Sequence, residues 1–259
     1  MAVRTILDKR AGIEPGTLRR DLWWLQPTIT VVVLLSFVAY GSWVAFGNAH
    51  YFADPYVSPF YSPCIAANCE HTTFRVIGAW WGFSPALLIL PFVLGFRMTC
   101  YYYRKAYYRA FWLSPPACAV REPHGKYTGE RRFPLILQNL HRFFLYAAAL
   151  QLLFVWWDVV VSFRFQGSFG IRVGTLVLLL NAVMLSLYTF SCHSARHIVG
   201  GHVDEFSRAP ARYRLWRAIT RLNENHMLLA WISLFVVALT DLYIRLLAQG
   251  HIHDFRLIG

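Results

Sequence analysis

The sequence predicts an all-α integral membrane protein, a five-transmembrane-helix bundle with a cytoplasmic N-terminus and an external C-terminus. Three observations carry this reading. The 259 residues are 57% hydrophobic and only 15% charged, with a mean hydropathy of +0.40, more apolar than a soluble domain of this length needs for its core. The apolar residues fall into five runs, about 28–47, 76–96, 140–161, 173–190 and 227–247, each near the ~20 residues that a helix needs to cross the ~30 Å hydrocarbon layer. The cations alternate between sides. Five Lys and Arg lie in residues 1–22, eight in 97–135 and six in 196–225, and with Arg142 these make 20 of the 25. Only Arg75, Arg164, Arg172, Arg245 and Arg256 fall on the other side. An excess of cations marks the cytoplasmic side, so the net charge of +12 reads as topology and not as a nucleic-acid footprint.

Each element has a local justification. Residues 1–22 are polar and charged, unlike a cleaved signal peptide. Trp23, Trp24 and Pro27 mark the entry of the first helix, where indole rings favour the membrane interface. The 48–74 loop is rich in Pro, Asn, Ser and Tyr and reads as a folded external loop, with Cys64 and Cys69 placed for a short disulfide. Trp80 and Trp81 restart the chain just inside the second span, and Pro85 and Pro91 are expected to bend that helix. The stretch from Arg97 to Arg109 is expected to extend it into the cytoplasm with an interfacial belt of tyrosines. Pro115 and Pro116 end it. The basic loops 97–135 and 196–225 then read as docking surfaces for soluble partners. The chain shows no repeat, phosphate-cradling glycine loop or nucleophile motif, so residues 1–259 read as a single membrane-anchor domain.

Chemistry gathers at one end of this bundle. Cys100 closes the second span, His141 opens the third, Cys192, His193 and His197 close the fourth, and His226 opens the fifth. Cys118 lies in the loop between the second and third. His193 and His197, four residues apart, share a helical face, with Cys192 turned by about 100° from His193. Histidines at helix ends commonly cap or contact headgroups. Several histidines with three cysteines at one depth point instead to a metal centre. On a reducing cytoplasmic side a disulfide is disfavoured.

The strings Thr99-Cys-Tyr-Tyr-Tyr-Arg-Lys105, Ser114-Pro-Pro-Ala-Cys118, Tyr127-Thr-Gly-Glu130, Phe133-Pro-Leu-Ile136 and Cys192-His-Ser-Ala-Arg-His-Ile-Val-Gly-Gly201 are long and specific. They resemble the cytochrome b-like membrane anchor of an actinobacterial-type succinate dehydrogenase, respiratory complex II. The resemblance runs from the first helix to Asp241-Leu-Tyr243. It implies a multi-pass protein of the cell's inner (plasma) membrane that holds a flavoprotein and an iron–sulfur subunit on its cytoplasmic face and contacts lipid and quinone. Succinate is oxidised in the flavoprotein, so no turnover is expected from the anchor alone.

Two redox centres compete. Many complex II anchors hold haem b between paired histidines, but a two-haem arrangement needs axial histidines near both faces. On the external side the chain offers only His50, His71, His251 and His253, in loops or the tail. One haem at the cytoplasmic side stays open. It would leave Cys100, Cys118 and Cys192 unexplained, whereas a Rieske-type [2Fe–2S] centre takes two Cys on one iron and two His on the other. The preferred expectation is therefore a [2Fe–2S] cluster ligated by Cys192 with Cys118 or Cys100, and by His193 and His197, with His141 and His226 as competitors.

A quinone, menaquinone or ubiquinone, needs hydrogen-bond donors in an apolar cleft. Trp23, Trp24, Arg97, Tyr101, His141, Tyr146 and Arg196 are the candidate lining, each also readable as an interfacial belt residue. Asp158 and Asp241 are candidates for a proton relay or a second quinone site, or for structural ion pairs with Arg164 and Arg245. Readings from other classes are a haem b protein of another reductase, and a structural or transport protein whose histidines bind zinc. Mid-span residues are mostly apolar, apart from Asn181 and Ser36, which argues against transport.

Overall fold

In a computed structural model the described residues are 19–69, 76–123, 129–165 and 167–258. Most of the expected segment 1–22, with His71, Arg75, Lys126, Tyr127 and Thr128, lies outside them. The helices are α1 (Leu25–Gly47), α2 (Ala86–Met98), α3 (Tyr101–Ala106), α4 (His141–Val161), α5 (Val173–Phe190), α6 (His193–Gly200), α7 (Pro210–Glu224) and α8 (His226–Ala248). Four of the helical segments, Leu25–Gly47, Leu135–Val161, Val173–Phe190 and His226–Ala248, are long and apolar enough to span a membrane. The 23 residues of α1 reach about 34 Å at 1.5 Å per residue. Large apolar side chains project outward from the bundle, among them Val32, Leu35, Val38 and Phe46. A water-soluble chain does not present such a surface; lipid tails cover it.

The second expected span differs from its forecast. Residues 76–85 are not helical: Ile77 pairs with Ala66 as an isolated bridge, and α2 begins at Ala86 with Pro85 as its N-cap. Glycines at 78 and 82 and the restriction that Pro85 places on Ser84 explain the late start. Pro91 does lie inside α2. The helix also does not run straight on to Arg109. It breaks at Thr99 and Cys100, and α2 and the Tyr101–Phe111 helical stretch meet at 66°. At the break the Thr99 hydroxyl donates to the Gly95 carbonyl at 2.6 Å, and Cys100 takes an extended backbone. Tyr107–Phe111 continues α3 as a π-helical turn. The 196–225 segment, expected as a loop, contains most of α6 and all of the arginine-rich α7.

The chain is not purely helical. Three two-stranded antiparallel pairs, Phe52–Ala53 with Tyr56–Val57, Arg164–Phe165 with Ser168–Phe169, and Ile171–Arg172 with Arg256–Ile258, close one end of the bundle. The loop after α1 is folded over this end. Cys64 and Cys69 form the expected disulfide, Tyr51 and Tyr61 stack at 4.1 Å, and the Tyr61 hydroxyl donates to the Val44 carbonyl. Desolvation raises the pKa of Tyr61 above its ordinary value, so its hydroxyl stays protonated and available as a donor.

Asp254 locks the tail to the same end. Its carboxylate accepts from the Gly174 amide in the first turn of α5 at 2.9 Å, from Tyr243 at 2.9 Å and from Tyr56 at 2.5 Å. An anion at a helix N-terminus is favourably placed. Gly174 is needed for this approach, because a Cβ there would lie 2.5 Å from the Tyr56 ring, and Tyr56 is fully buried. Gly174→Ala is expected to destabilise the bundle by about 1–3 kcal/mol through overpacking, read as a lower thermal midpoint in detergent.

Candidate functional site

At the opposite end from the strand pairs, the breaks that follow α2 and α5 have the same construction. Each places a hydroxyl residue and then a cysteine between two helices: Thr99-Cys100 between α2 and α3, Ser191-Cys192 between α5 and α6. Both cysteines are extended and N-cap the short helix that follows. The extended residue turns the chain, so the thiol stays in the bundle while the next helix leaves along a new axis.

The two breaks are cross-linked by histidines that open the neighbouring spans. His141 Nδ1 meets the Thr99 hydroxyl at 2.9 Å and its Nε2 meets Cys192 Sγ at 2.8 Å. His226 Nδ1 meets the Ser191 hydroxyl at 2.7 Å and its Nε2 meets Cys100 Sγ at 3.1 Å. Each break therefore orients the imidazole that faces the other break's thiol. The tautomers follow from proton counting. Thr99 and Ser191 each spend their single hydroxyl hydrogen on a backbone carbonyl, of Gly95 and of Tyr188, so each accepts from an imidazole Nδ1–H. That leaves a lone pair on both Nε2 atoms, aimed at sulfur. Orienting a histidine through its second nitrogen is how proteins prepare it as a metal ligand.

Aromatic rings hold the imidazoles in place. Phe96 stacks on His141 at 4.9 Å, Tyr188 stacks on His226 at 5.3 Å, and Phe96 meets Tyr188 edge-on at 5.5 Å. Cys100 and Cys192 are each 1% exposed and His141 is 2% exposed. Cys100 and Cys192 border one cleft, and burial pushes the Cys192 thiol up to about 11, with the neighbouring Cys100 adding to the rise. Without a bound cation the Cys192 thiol stays protonated at neutral pH; coordination to a metal removes that proton. The Ser194 amide already donates to Cys192 Sγ at 3.3 Å.

Among the described residues no group of three or more His, Cys, Asp or Glu side chains closes on a point that would hold a metal ion. The zinc reading needs three or four donors around one ion and the expected two-iron centre needs four gathered together; among the described residues neither finds such a group. The donors come instead as two Cys–His pairs. In kind, two thiols and two imidazoles match the donor set of a two-iron centre.

The other expected ligands make no contact of this kind with the network, although His193 borders the same cleft as Cys100, Cys192 and His226. Cys118 is exposed, with its carbonyl accepting from Arg19 at 2.8 Å. His193 and His197 do share a face, their rings 5.5 Å apart, but that face is exposed, because the extended Cys192 turns α6 away from the bundle. Partial desolvation beside the cleft, with His197 and Arg196 nearby, still lowers the pKa of His193. Thr99 and Ser191 were not singled out from the sequence; the repeated hydroxyl–cysteine pair at two helix ends was the available signal. Maleimide is expected to label Cys118 at least about tenfold faster than Cys100 or Cys192, since buried, protonated thiols are inert; mass spectrometry of the labelled protein checks this.

The residues expected to line a quinone cleft do not all share one cavity: Trp23 and Trp24 border one at the start of α1. Arg97 is half-buried, bonded to Tyr103, the Ala230 carbonyl and Ser233, with its guanidinium 4.5 Å from the Tyr188 ring. Arg196 lies over Trp216 at 4.6 Å. Tyr146 and Trp24 are exposed, and Trp23 is half-buried on the approach to α1. Tyr101 alone of these borders a cleft of ≈490 Å³ that reaches Cys100, Cys192 and His226, with Tyr102 and Met227 on its wall.

The family model for the actinobacterial succinate dehydrogenase subunit SdhC matches residues 25–250. The chain belongs to this family. It is therefore a membrane-anchor subunit of a succinate dehydrogenase, a bacterial complex II enzyme. Among solved structures the chain is similar to one of the Mycobacterium smegmatis Sdh1 complex in the apo form, at 48% identity and a TM-score of 0.88, covering 96% of this chain and 97% of that one. A comparison with curated proteins finds no match. The two hydroxyl–cysteine breaks and both crossing histidines lie within the matched SdhC region.

Proposed function

We propose that this anchor relays electrons from the iron–sulfur subunit of its complex to a membrane quinone through a [2Fe–2S] centre held by Cys100, Cys192, His141 and His226. The observation that carries this is the crossed network, in which two hydroxyls fix two Nε2 lone pairs on two buried thiols. Two cysteines and two histidines are the donors of a Rieske-type centre, whose histidines raise the potential toward that of quinones. When bound, such a centre supplies one-electron transfer. The chain's own part is to exclude water with Phe96 and Tyr188, to fix the imidazoles through Thr99 and Ser191, and to place the Arg97 cation beside the site.

The same reading makes the chain a five-span protein, α2 and the helical stretch that follows it counting as one broken span, with the Cys–His end cytoplasmic, as the placement of Lys and Arg indicates. The flavoprotein and iron–sulfur subunits dock on the basic segments 97–135 and 196–225. The quinone ring enters the cleft beside Tyr101 and Tyr102, where phenol hydroxyls supply donors to its carbonyls. A haem b held by His141 and His226 is the weaker alternative, because it leaves the two buried thiols of Cys100 and Cys192 without a role.

Optical and EPR spectra of the partly reduced complex test the centre. The result expected is a [2Fe–2S] signal of Rieske type that disappears in Cys100→Ala and His226→Ala and persists in His193→Ala plus His197→Ala. A haem α band lost in the His141 and His226 variants would replace the cluster with haem. The absence of both signals would reduce the anchor's role to forming the quinone cleft.

A further inference from the structure

On the α1 side of the Cys–His network, two adjoining cavities flank the start of α1. One, of ≈230 Å³, has Arg19, Lys105 and Arg109 on its wall together with Gln26 and Thr30. The other, of ≈450 Å³, is lined mainly by apolar side chains, among them Val31, Val32, Leu113 and Val120, with Arg121 also on its wall. They share Trp23, Pro27, Ala110 and Pro116, so a polar, cationic chamber opens beside an apolar one along the same helix.

The cationic chamber is short of negative charge. Among the described residues no Asp or Glu lines either cavity. Arg19 is bonded to Asp21, but Arg109 Nε is buried with no hydrogen-bond partner. A buried guanidinium donor left unsatisfied is costly, and an anion with several acceptor oxygens satisfies it best. A neutral quinone carbonyl does not call for three cations. The indoles of Trp23 and Trp24 place the site at headgroup depth, where basic pockets between membrane helices bind anionic lipid heads.

We propose that these joined cavities bind an anionic phospholipid, with its phosphodiester on Lys105 and Arg109 and one acyl chain along Trp23, Val31 and Val32. The requirement for both halves follows from the amphiphile: charge alone would hold any phosphate, and the apolar chamber alone any hydrocarbon chain. The site draws on the 97–135 segment and shares Tyr102 and Met227 with the cleft proposed for quinone, but it uses none of the four Cys and His side chains and would stand if the cluster assignment failed.

Native mass spectrometry of the detergent-purified complex tests this with phosphatidylglycerol, phosphatidylcholine and inorganic phosphate as probes. Phosphatidylglycerol is expected to be retained in preference to phosphatidylcholine, with retention at least about tenfold weaker in Lys105→Gln and Arg109→Gln, the loss expected for a charge-assisted hydrogen bond. Lys105 is exposed, so Lys105→Gln serves if the Arg109 variant does not assemble. Val32→Trp, which fills the apolar chamber, is expected to weaken retention without changing binding of the other lipids. Equal retention of the two lipids, or wild-type retention in Lys105→Gln, overturns the proposal. So does inorganic phosphate held without lipid, or a quinone recovered in its place.

Discussion

Cys192→Ala is expected to lower succinate:quinone turnover by at least ~100-fold, while succinate-dependent reduction of a soluble dye by the flavoprotein stays within about twofold of wild type. Outer-sphere changes at metal sites commonly cost ~10–100-fold, and loss of a ligand removes the centre itself. The substitution deletes one sulfur and leaves His141 Nε2, now 2.8 Å from Sγ, with no partner. Thr99→Val should give a smaller loss of ~10–100-fold, because His141 keeps its place but loses the acceptor for its Nδ1–H. His193→Ala should do neither. Parallel assays with quinone and dye separate a broken electron path from an unfolded complex, and equal losses in both would sink the relay reading.

Asp241→Ala is expected to destabilise the protein by about 3–5 kcal/mol, the cost of leaving a buried charge without its partner. Asp241 is 0% and Arg245 4% exposed, and Arg245 Nε donates to the carboxylate at 2.8 Å. Tyr40 and Ser58 also donate to Asp241, while Arg245 donates to the Ala49 carbonyl and lies 5.5 Å from the Trp43 ring. One ion pair thus ties α1, the folded loop and α8 together. The expected readout is a thermal midpoint lower by about 10 °C with the redox spectrum unchanged. A variant of normal stability with slowed quinone reduction would instead make Asp241 a proton relay. Asp158 has no such partner in Arg164 among the described ion pairs.

The membrane spans were legible because lipid imposes a length and a polarity on them that few other constraints mimic. The fourth span was read at 173–190, and α5 covers Val173–Phe190. The second span was not, because a run of apolar letters does not reveal where Pro85 delays a helix or where an extended Cys100 breaks one. Short strands at the opposite end escaped for a related reason: each is only two or three residues long and exists through its partner.

Residue type and depth were enough to gather cysteines and histidines at one end of the bundle, and the family motifs were enough to place the chain among succinate dehydrogenase anchors. The choice among those side chains belonged to the tertiary structure. Spacing put His193 and His197 on one face, but whether that face turns inward depends on the backbone angle at Cys192, two helices away from the histidines that do face the thiols. The sequence by itself determined an apolar bundle with ligand-type residues at one end, since composition and charge act locally. The two breaks, the crossing of His141 and His226 between them, and the buried Asp241–Arg245 pair were decided by packing, which joins residues up to 201 positions apart.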